Sequence, residues 1–567
     1  MPKLGLQYSV PSFLMEPNQT NNDNINNNTR NSDKDTAGSD LKTKIDKMIT
    51  TGVSQQDVRT SDLLKGEIER DSEKEFDYQV SQINNPIPHP LPPWLRRFNV
   101  WRRHYMSDFI FLLWLAVVVG LFAGFAAHIF NRMITIISDI FLTHIKPDKV
   151  NWWIILPPIG GILLAGIYTR YVIHTDLTHG VTRLMQTIYK GRYLLRRNLI
   201  YSPIIGSSIT LGLGGTAGSE GPIAISGAAI GSNLGRWLQL KMPLVKVLVA
   251  CGAAAGISGI FQSPVGGLLF TIEFLKMEIG TLSICAVMLS CLVAYGMVFL
   301  CNGCVVPDQF FPEHAINPDQ YWAVILMGIF CGLYSLYYSA VINASDNIFI
   351  KIKNPWLRNL IGGFTVGICL LLFPSLYGVG YPVMSDVIHG QFEAMSKGDV
   401  LIGMHLGPWG LIIAATLILL IKCWGCGACN ASGGVSSDFA PTLYAGAFAG
   451  FLFSLFCNTA FHTHLPIPAY VLVGMAAVMA GCIEAPMMTI FIVMNMGSDL
   501  AFLLAIILAV YSSYITVRLG SHIRGYDSKL AKHLKWFHEH EDQQQDEKAG
   551  DAGEVSNPGE TTAPFQT

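Results

Sequence analysis

The chain has 567 residues, of which 51% are hydrophobic and only 14% charged, with a formal net charge of −2 and a mean hydropathy of +0.38. A soluble domain of ordinary composition carries about a quarter charged residues, so this balance excludes a soluble globular protein. It describes an all-α polytopic membrane protein in contact with the lipid bilayer, with no nucleic-acid partner expected.

In chain order, residues 1–90 are rich in Asn, Asp, Ser, Thr and Lys around the core NNDNINNNTRNSDKD. Such a stretch cannot bury enough apolar surface to offset its ordering entropy, so a disordered polar region is expected, with residues 41–75 able at most to form a surface helix. No secretory signal peptide is expected, because the apolar pattern begins only after residue 106. Arg96, Arg97, Arg102 and Arg103 precede the first apolar run and place the N-terminus in the cytoplasm, consistent with a multi-pass protein of the plasma (inner) membrane. Lys190, Arg192, Arg196 and Arg197 form a second basic patch.

Runs long enough to cross ~30 Å of hydrocarbon then recur, and roughly ten or more membrane-embedded segments are expected. Clear cases are Phe109–Phe130, Trp153–Tyr168, Ile284–Leu300, Trp322–Ala340, Leu360–Phe373, Leu411–Ile421, Ala469–Ala480 and Leu500–Ile515. Several are short or interrupted by glycine and proline. From Lys529 the chain is polar again, and 536–567 is expected to be a disordered tail.

Most of the 12 cysteines sit singly in apolar runs, where a thiol behaves as a small hydrophobe. Cys423, Cys426 and Cys429, in CWGCGAC, have a spacing that could hold a metal, but no fourth ligand is near and helix packing is the preferred reading. Cys301 and Cys304 are too close in sequence to favour a bridge. The histidines (His128, His144, His179, His389, His405) are scattered and offer no catalytic constellation. Neither an enzyme nor a cofactor is expected.

An internal repeat is present. Glu220-Gly221-Pro222 is followed by Gly227 and Gly231, and Asp438-Phe439-Ala440-Pro441 by Gly446 and Gly450, each pair five and nine positions past its proline. AAAGISGIFQSP, ending at Pro264, matches AAVMAGCIEAP, ending at Pro486. Residues about 105–300 and 320–520 therefore read as two copies of one unit. Duplicated, glycine-interrupted apolar segments point to a transport site at the repeat interface. Helix N-termini with glycine, serine and an early proline present free N–H groups and a positive dipole end to an anion. Gly218, Ser219, Gly221 and Pro222 fit that description, as do Gly433, Gly434, Ser436 and Ser437. Glycines alone would fit plain helix packing equally well.

These motifs resemble the CLC family of chloride channels and proton-coupled chloride antiporters, in its prokaryotic-type form without C-terminal CBS domains. GSEGP at 218–222 is similar to the family's GxEGP signature, SSDFAPTLYAG at 436–446 to GxFxP, and THGVT at 178–182 to the anion loop GSGIP. GISGIFQSPVGGLLFTIE and CIEAPMMTIFIVM resemble two further segments, and Tyr526 falls where the family places a chloride-coordinating tyrosine. The resemblance covers about 105–535 and implies a transmembrane domain over 91–535. It further implies a homodimer and an inverted repeat of about eighteen tilted and discontinuous helices. Glu220 would be the gating and proton-binding glutamate. His179, Gly180, Ser219, Gly221, Phe439, Ala440 and Tyr526 would bind the anion.

Departures from the family pattern carry information. His179 and Thr182 replace the serine and proline of the anion loop, and Asp438 stands beside the second helix start, where it could cap the helix with its carboxylate turned away. LLFTIEFLKMEIG places Phe274 where antiporters of the family commonly carry the inner proton glutamate. Phenylalanine cannot relay a proton, which favours a channel over a proton-coupled antiporter. Glu273, one position early and turned about 100° away on a helix, is expected to make a structural or subunit-facing contact. Glu273 and Glu278 are the two substitute proton carriers available. The transported ion is expected to be chloride, with nitrate and fluoride left open. A cation-coupled transporter of another inverted-repeat fold would explain Asp438 but not the ordered motifs.

Overall fold

The computed structural model describes residues 106–524, apart from 143–150, 175–176, 178–179, 190–192, 278–279, 305–309, 311, 313–315, 393–406 and 498–499. The two regions expected to be disordered, the arginines before the first span, and His179, Glu278 and Tyr526 lie outside the described residues.

Among the described residues the helices fall into two runs of eight. The first is α1 (Asp108–Leu142), α2 (Leu156–Ile167), α3 (Gly180–Tyr189), α4 (Ser202–Gly212), α5 (Glu220–Trp237), α6 (Met242–Phe261), α7 (Pro264–Leu269) and α8 (Thr281–Cys301). The second is α9 (Tyr321–Ile350), α10 (Pro355–Leu372), α11 (Tyr381–Ile388), α12 (Gly407–Ala431), α13 (Phe439–Phe461), α14 (Ile467–Ile483), α15 (Pro486–Gly497) and α16 (Leu503–Arg524). Wider turns extend α2 through Tyr168–Ile173 and α7 through Phe270–Phe274.

Local chemistry sets the boundaries. Proline stands in the first turn of α2, α4, α6, α10, α11 and α14, where its missing N–H breaks no helical bond. The repeated motif ending in Pro264 or Pro486 is a helix stop followed by a helix start. α6 ends on Gln262 at φ +51° and α14 on Glu484 at φ +60°. Two residues later, a proline begins α7 or α15.

The two runs pack alike. α1 lies against α8 as α9 lies against α16, and the pairs α5–α6 and α13–α14 correspond. The glycines five and nine positions past each proline are the crossing points of those two pairs. A Cβ on Gly227 or Gly231 would strike the backbone of Gly252 or Leu248, and one on Gly446 or Gly450 that of Gly474 or Tyr470. These glycines serve close helix contact, whereas Gly218 and Gly221 serve the junction described below.

The halves meet where α2 packs on α10, where α7 packs on α15, and at an antiparallel pairing of Gly218 with Ser437. Nine helical stretches among the described residues are long and apolar enough to cross a membrane. α6 and α13 are mostly buried inside the protein, while α1 and α8 turn Trp114, Phe122, Leu292 and Leu300 outward. The architecture is an all-α, polytopic inverted repeat.

Candidate anion site between two helix starts

The pairing of Gly218 with Ser437 consists of two backbone bonds, Gly218 N–H to Ser437 O (2.7 Å) and Ser437 N–H to Gly218 O (2.9 Å). It ties together the starts of α5 and α13, one from each half. Glycine is required at 218, because a Cβ there would meet Ser437 O at 2.9 Å and run into the Glu220 carboxylate. At Gly221 a Cβ would lie 2.8 Å from Ser437 Cβ and 2.5 Å from Val181 Cγ2 of α3, and at Gly180 it would lie 2.7 Å from Ile225 Cδ1 of α5. The starts of α3, α5 and α13 thus converge at one place.

Glu220 lies there, in the first turn of α5, with 0% of its surface exposed. Its Oε2 accepts from Ser437 Oγ (3.0 Å) and from the backbone N–H of Ala440 (3.3 Å). Its Oε1 accepts from Tyr381 Oη at 3.2 Å and, at a long 3.5 Å, from Ser219 Oγ. Ala440 is the second residue of α13, so the carboxylate takes a bond from one of that helix's free N–H groups, at its positive dipole end. An isolated charge in a membrane interior is costly and marks a functional site. Here hydroxyl and amide donors offset that cost, and the same donors suit a small anion.

Asp438 differs from its expected role. It precedes α13 at φ −94°, ψ −1°, close to helical geometry, and its side chain makes no capping bond. The bond to Ala440 is taken instead by Glu220 from the other half. The Asp438 carboxylate turns to α12, where it accepts from Asn430 Nδ2 and from Cys426 Sγ (3.4 Å). Cys423 meets Tyr334 Oη at 3.0 Å. The three cysteines of CWGCGAC are all fully buried, and among the described residues no group of three His, Cys, Asp or Glu converges to hold a metal.

Phe439, at the start of α13, is enclosed by rings. Phe274 lies 5.1 Å from it, edge to face, and Phe270 lies 6.0 Å from it and 5.3 Å from Phe274. Glu273 points elsewhere, as its two carboxylate oxygens accept from the N–H groups of Met487 (3.2 Å) and Met488 (2.7 Å). It therefore caps α15 and links the halves of the chain.

Of the residues singled out from sequence, Glu220, Gly180, Ser219, Gly221, Phe439 and Ala440 gather at this junction. Sequence reading missed Tyr381 and the Ser437 hydroxyl as partners of Glu220. It also missed Lys422, which has 0% of its surface exposed and donates to Thr216 Oγ1 at 2.7 Å, with Nζ 4.4 Å from the Tyr444 ring centroid. Its signal was the one that identified Glu220, a lone charge in an apolar run (LILLIKCWG).

The chain is similar to proteins of known family and fold. Residues 161–518 match the family model described as voltage gated chloride channel, well over half of the chain. A putative chloride channel protein ClcB-like from Ralstonia nicotianae is 29% identical over 68% of this chain and 86% of its own length. The H(+)/Cl(-) exchange transporter ClcA of Yersinia pseudotuberculosis is 25% identical over 75% of this chain and 88% of its own. Among solved structures, a slow cyanobacterial Cl-/H+ antiporter superposes with a TM-score of 0.61 at 20% identity, covering 75% of this chain and 96% of that one. A CLC-type fluoride/proton antiporter gives 0.59 at 19% identity, covering 72% and 96%. With its inverted repeat, its paired helix starts and this family match, the chain is a multi-pass membrane protein of CLC-type anion transport and belongs to the voltage gated chloride channel family.

Proposed function

We propose that the chain exchanges chloride for protons through the seat that Glu220 occupies. The observation that carries this reading is the Glu220 carboxylate itself, held by the Ser437 hydroxyl and the Ala440 N–H at the start of the opposing helix. A carboxylate in that position is a tethered anion. Ionised, it fills the seat; protonated, it loses the attraction of the helix dipole and gives way to chloride. When chloride leaves, the glutamate releases its proton and returns. With the proton taken up from one side of the membrane and released to the other, each cycle couples proton movement to anion passage, which is exchange. With uptake and release on the same side, the same cycle would only gate the anion.

This order reverses the preference for a channel drawn from Phe274. Exchange has the additional support of the relative named an H(+)/Cl(-) exchange transporter, which the chain covers over 88% of that relative's length. A chloride channel remains the second reading. It is favoured by the rings of Phe270, Phe274 and Phe439, which fill with apolar surface the place where the resemblance puts an inner proton carrier. Gly180, Ser219, Gly221, Phe439 and Ala440 are the described part of the proposed anion path, with His179 and Tyr526 completing it by resemblance. The same reading has the protein working as a homodimer in the plasma membrane with its N-terminus in the cytoplasm.

The test is a chloride gradient across liposomes holding the purified protein. Exchange predicts proton movement against its own gradient, in a fixed ratio to chloride. Chloride flux without proton movement would establish the channel instead.

A further inference from the structure

α11 holds the place in the second half that α3 holds in the first. α3 begins at the loop to which the resemblance assigns anion contacts, so the inverted repeat directs the start of α11 to the same junction. There the sequence reads GVGYP, 378–382. Gly378 and Gly380 adopt φ +60° and +88°, in the left-handed region, and Pro382 lies in the first turn. A Cβ at Gly380 would lie 2.5 Å from the Tyr444 ring, so the backbone here passes flat against α13. The Tyr444 ring is itself fixed, by its hydroxyl bond to Ser375 O (3.1 Å) and by stacking on Phe448 at 4.6 Å. Next to Gly380, Tyr381 has its ring 6.3 Å from that of Phe310 and its hydroxyl on Glu220 Oε1. The Phe310 backbone is in turn backed by Gly497, where a Cβ would come within 2.6 Å of it.

We propose that Tyr381 is a latch for the Glu220 carboxylate, a positioning residue that sets the proton concentration at which the glutamate leaves its seat. The proposal rests on the reading that Glu220 occupies an anion seat. Oε2 has two donors from α13 and its approach, whereas Oε1 has Tyr381 and only the 3.5 Å contact of Ser219. Removing the tyrosine hydroxyl takes from that oxygen the shorter of its two side-chain bonds in a buried site. A hydrogen bond to a charged group shifts an equilibrium by about tenfold or more.

Other titratable groups on the elements around Glu220 have partners or positions of their own. Asp438 is held by Asn430 and Cys426, Lys422 by Thr216, and the Tyr444 hydroxyl by Ser375. Cys251 is buried in α6, and His128 and Arg132 stand on α1. Among the described residues, none of these bonds the Glu220 carboxylate.

The test measures chloride flux against pH in proteoliposomes for the wild type and for Tyr381→Phe, Ser437→Ala, Phe310→Leu, Glu220→Gln and the double variant Glu220→Gln/Tyr381→Phe. With the latch removed, the carboxylate leaves at a lower proton concentration. Tyr381→Phe should therefore move half-maximal flux up by about one pH unit. Phe310→Leu, which keeps the hydroxyl but loosens its ring, should move it the same way by less, and supports or refutes the latch independently if Tyr381→Phe fails to fold. The double variant should match Glu220→Gln at every pH. An unmoved midpoint in Tyr381→Phe beside a shifted one in Ser437→Ala would overturn the latch and leave the seat intact. Equal loss of flux from Tyr381→Phe with and without Glu220 would overturn it too, showing a structural residue only. Wild-type pH dependence in Glu220→Gln would remove the seat and the latch together.

Discussion

Among the described residues, Glu220 and Lys422 are the charged side chains with 0% of their surface exposed, and each is matched to its surroundings differently. Glu220 collects hydroxyl and amide donors; Lys422 has a hydroxyl oxygen and an aromatic face, a combination that suits a desolvated ammonium. Glu220 was legible in the sequence because glycine and proline around it announce a helix start. Its partners were not, since Tyr381 and Ser437 lie 161 and 217 positions away and only the fold brings them near. Lys422 escaped because the apolar run was ended one residue before it, and its partner Thr216 is 206 positions distant. If the Glu220 carboxylate is the titrating gate, wild-type chloride flux rises as pH falls, because protonation frees the seat. Glu220→Gln, fixed in the neutral form, should then conduct chloride with no pH dependence and no proton coupling. Flux in this variant that still climbs on acidification would assign the titration to another group.

At the scale of elements, apolar runs located the outer helices well and the inner ones poorly. Phe109–Phe130 lies within α1 and Ile284–Leu300 within α8. α5, α6 and α13 did not stand out as spans, because helices buried in protein trade large apolar residues for glycine, alanine and serine. That trade permits backbone contact where α5 crosses α6 and α13 crosses α14. Gly450→Ala should accordingly destabilise the protein by about 1–3 kcal/mol, since even one methyl strikes the Tyr470 carbonyl. Gly160→Ala in α2, where a Cβ meets nothing within 4 Å, should cost nothing and serves as the control. Thermal unfolding in detergent, followed by size-exclusion chromatography, reads both; equal stability of the two variants would mean that the crossing tolerates a wider separation than the structure has. Wide turns were also invisible from sequence. Phe274 falls in one, and its stacking on Phe270 and Phe439 depends on that local geometry.

For the molecule as a whole, the repeat was legible because proline and glycine recur at matched spacing, while its consequence was only partly so. The sequence implied two helix starts meeting around an anion. What it could not contain is the exchange between halves: the acid of the first half occupies the helix start of the second, and the acid of the second, Asp438, turns away to α12. Two pseudo-equivalent units therefore build one asymmetric seat, with donors from α13, its approach and α11, and a single carboxylate from α5. The most direct measurement of this claim is a crystal structure of Glu220→Gln grown in bromide, with anomalous scattering locating the ion. Bromide within hydrogen-bonding reach of the Ser437 hydroxyl and the Ala440 N–H, with the glutamine side chain displaced, is the predicted result. Glutamine seated on those same donors, with bromide bound only elsewhere, would contradict it.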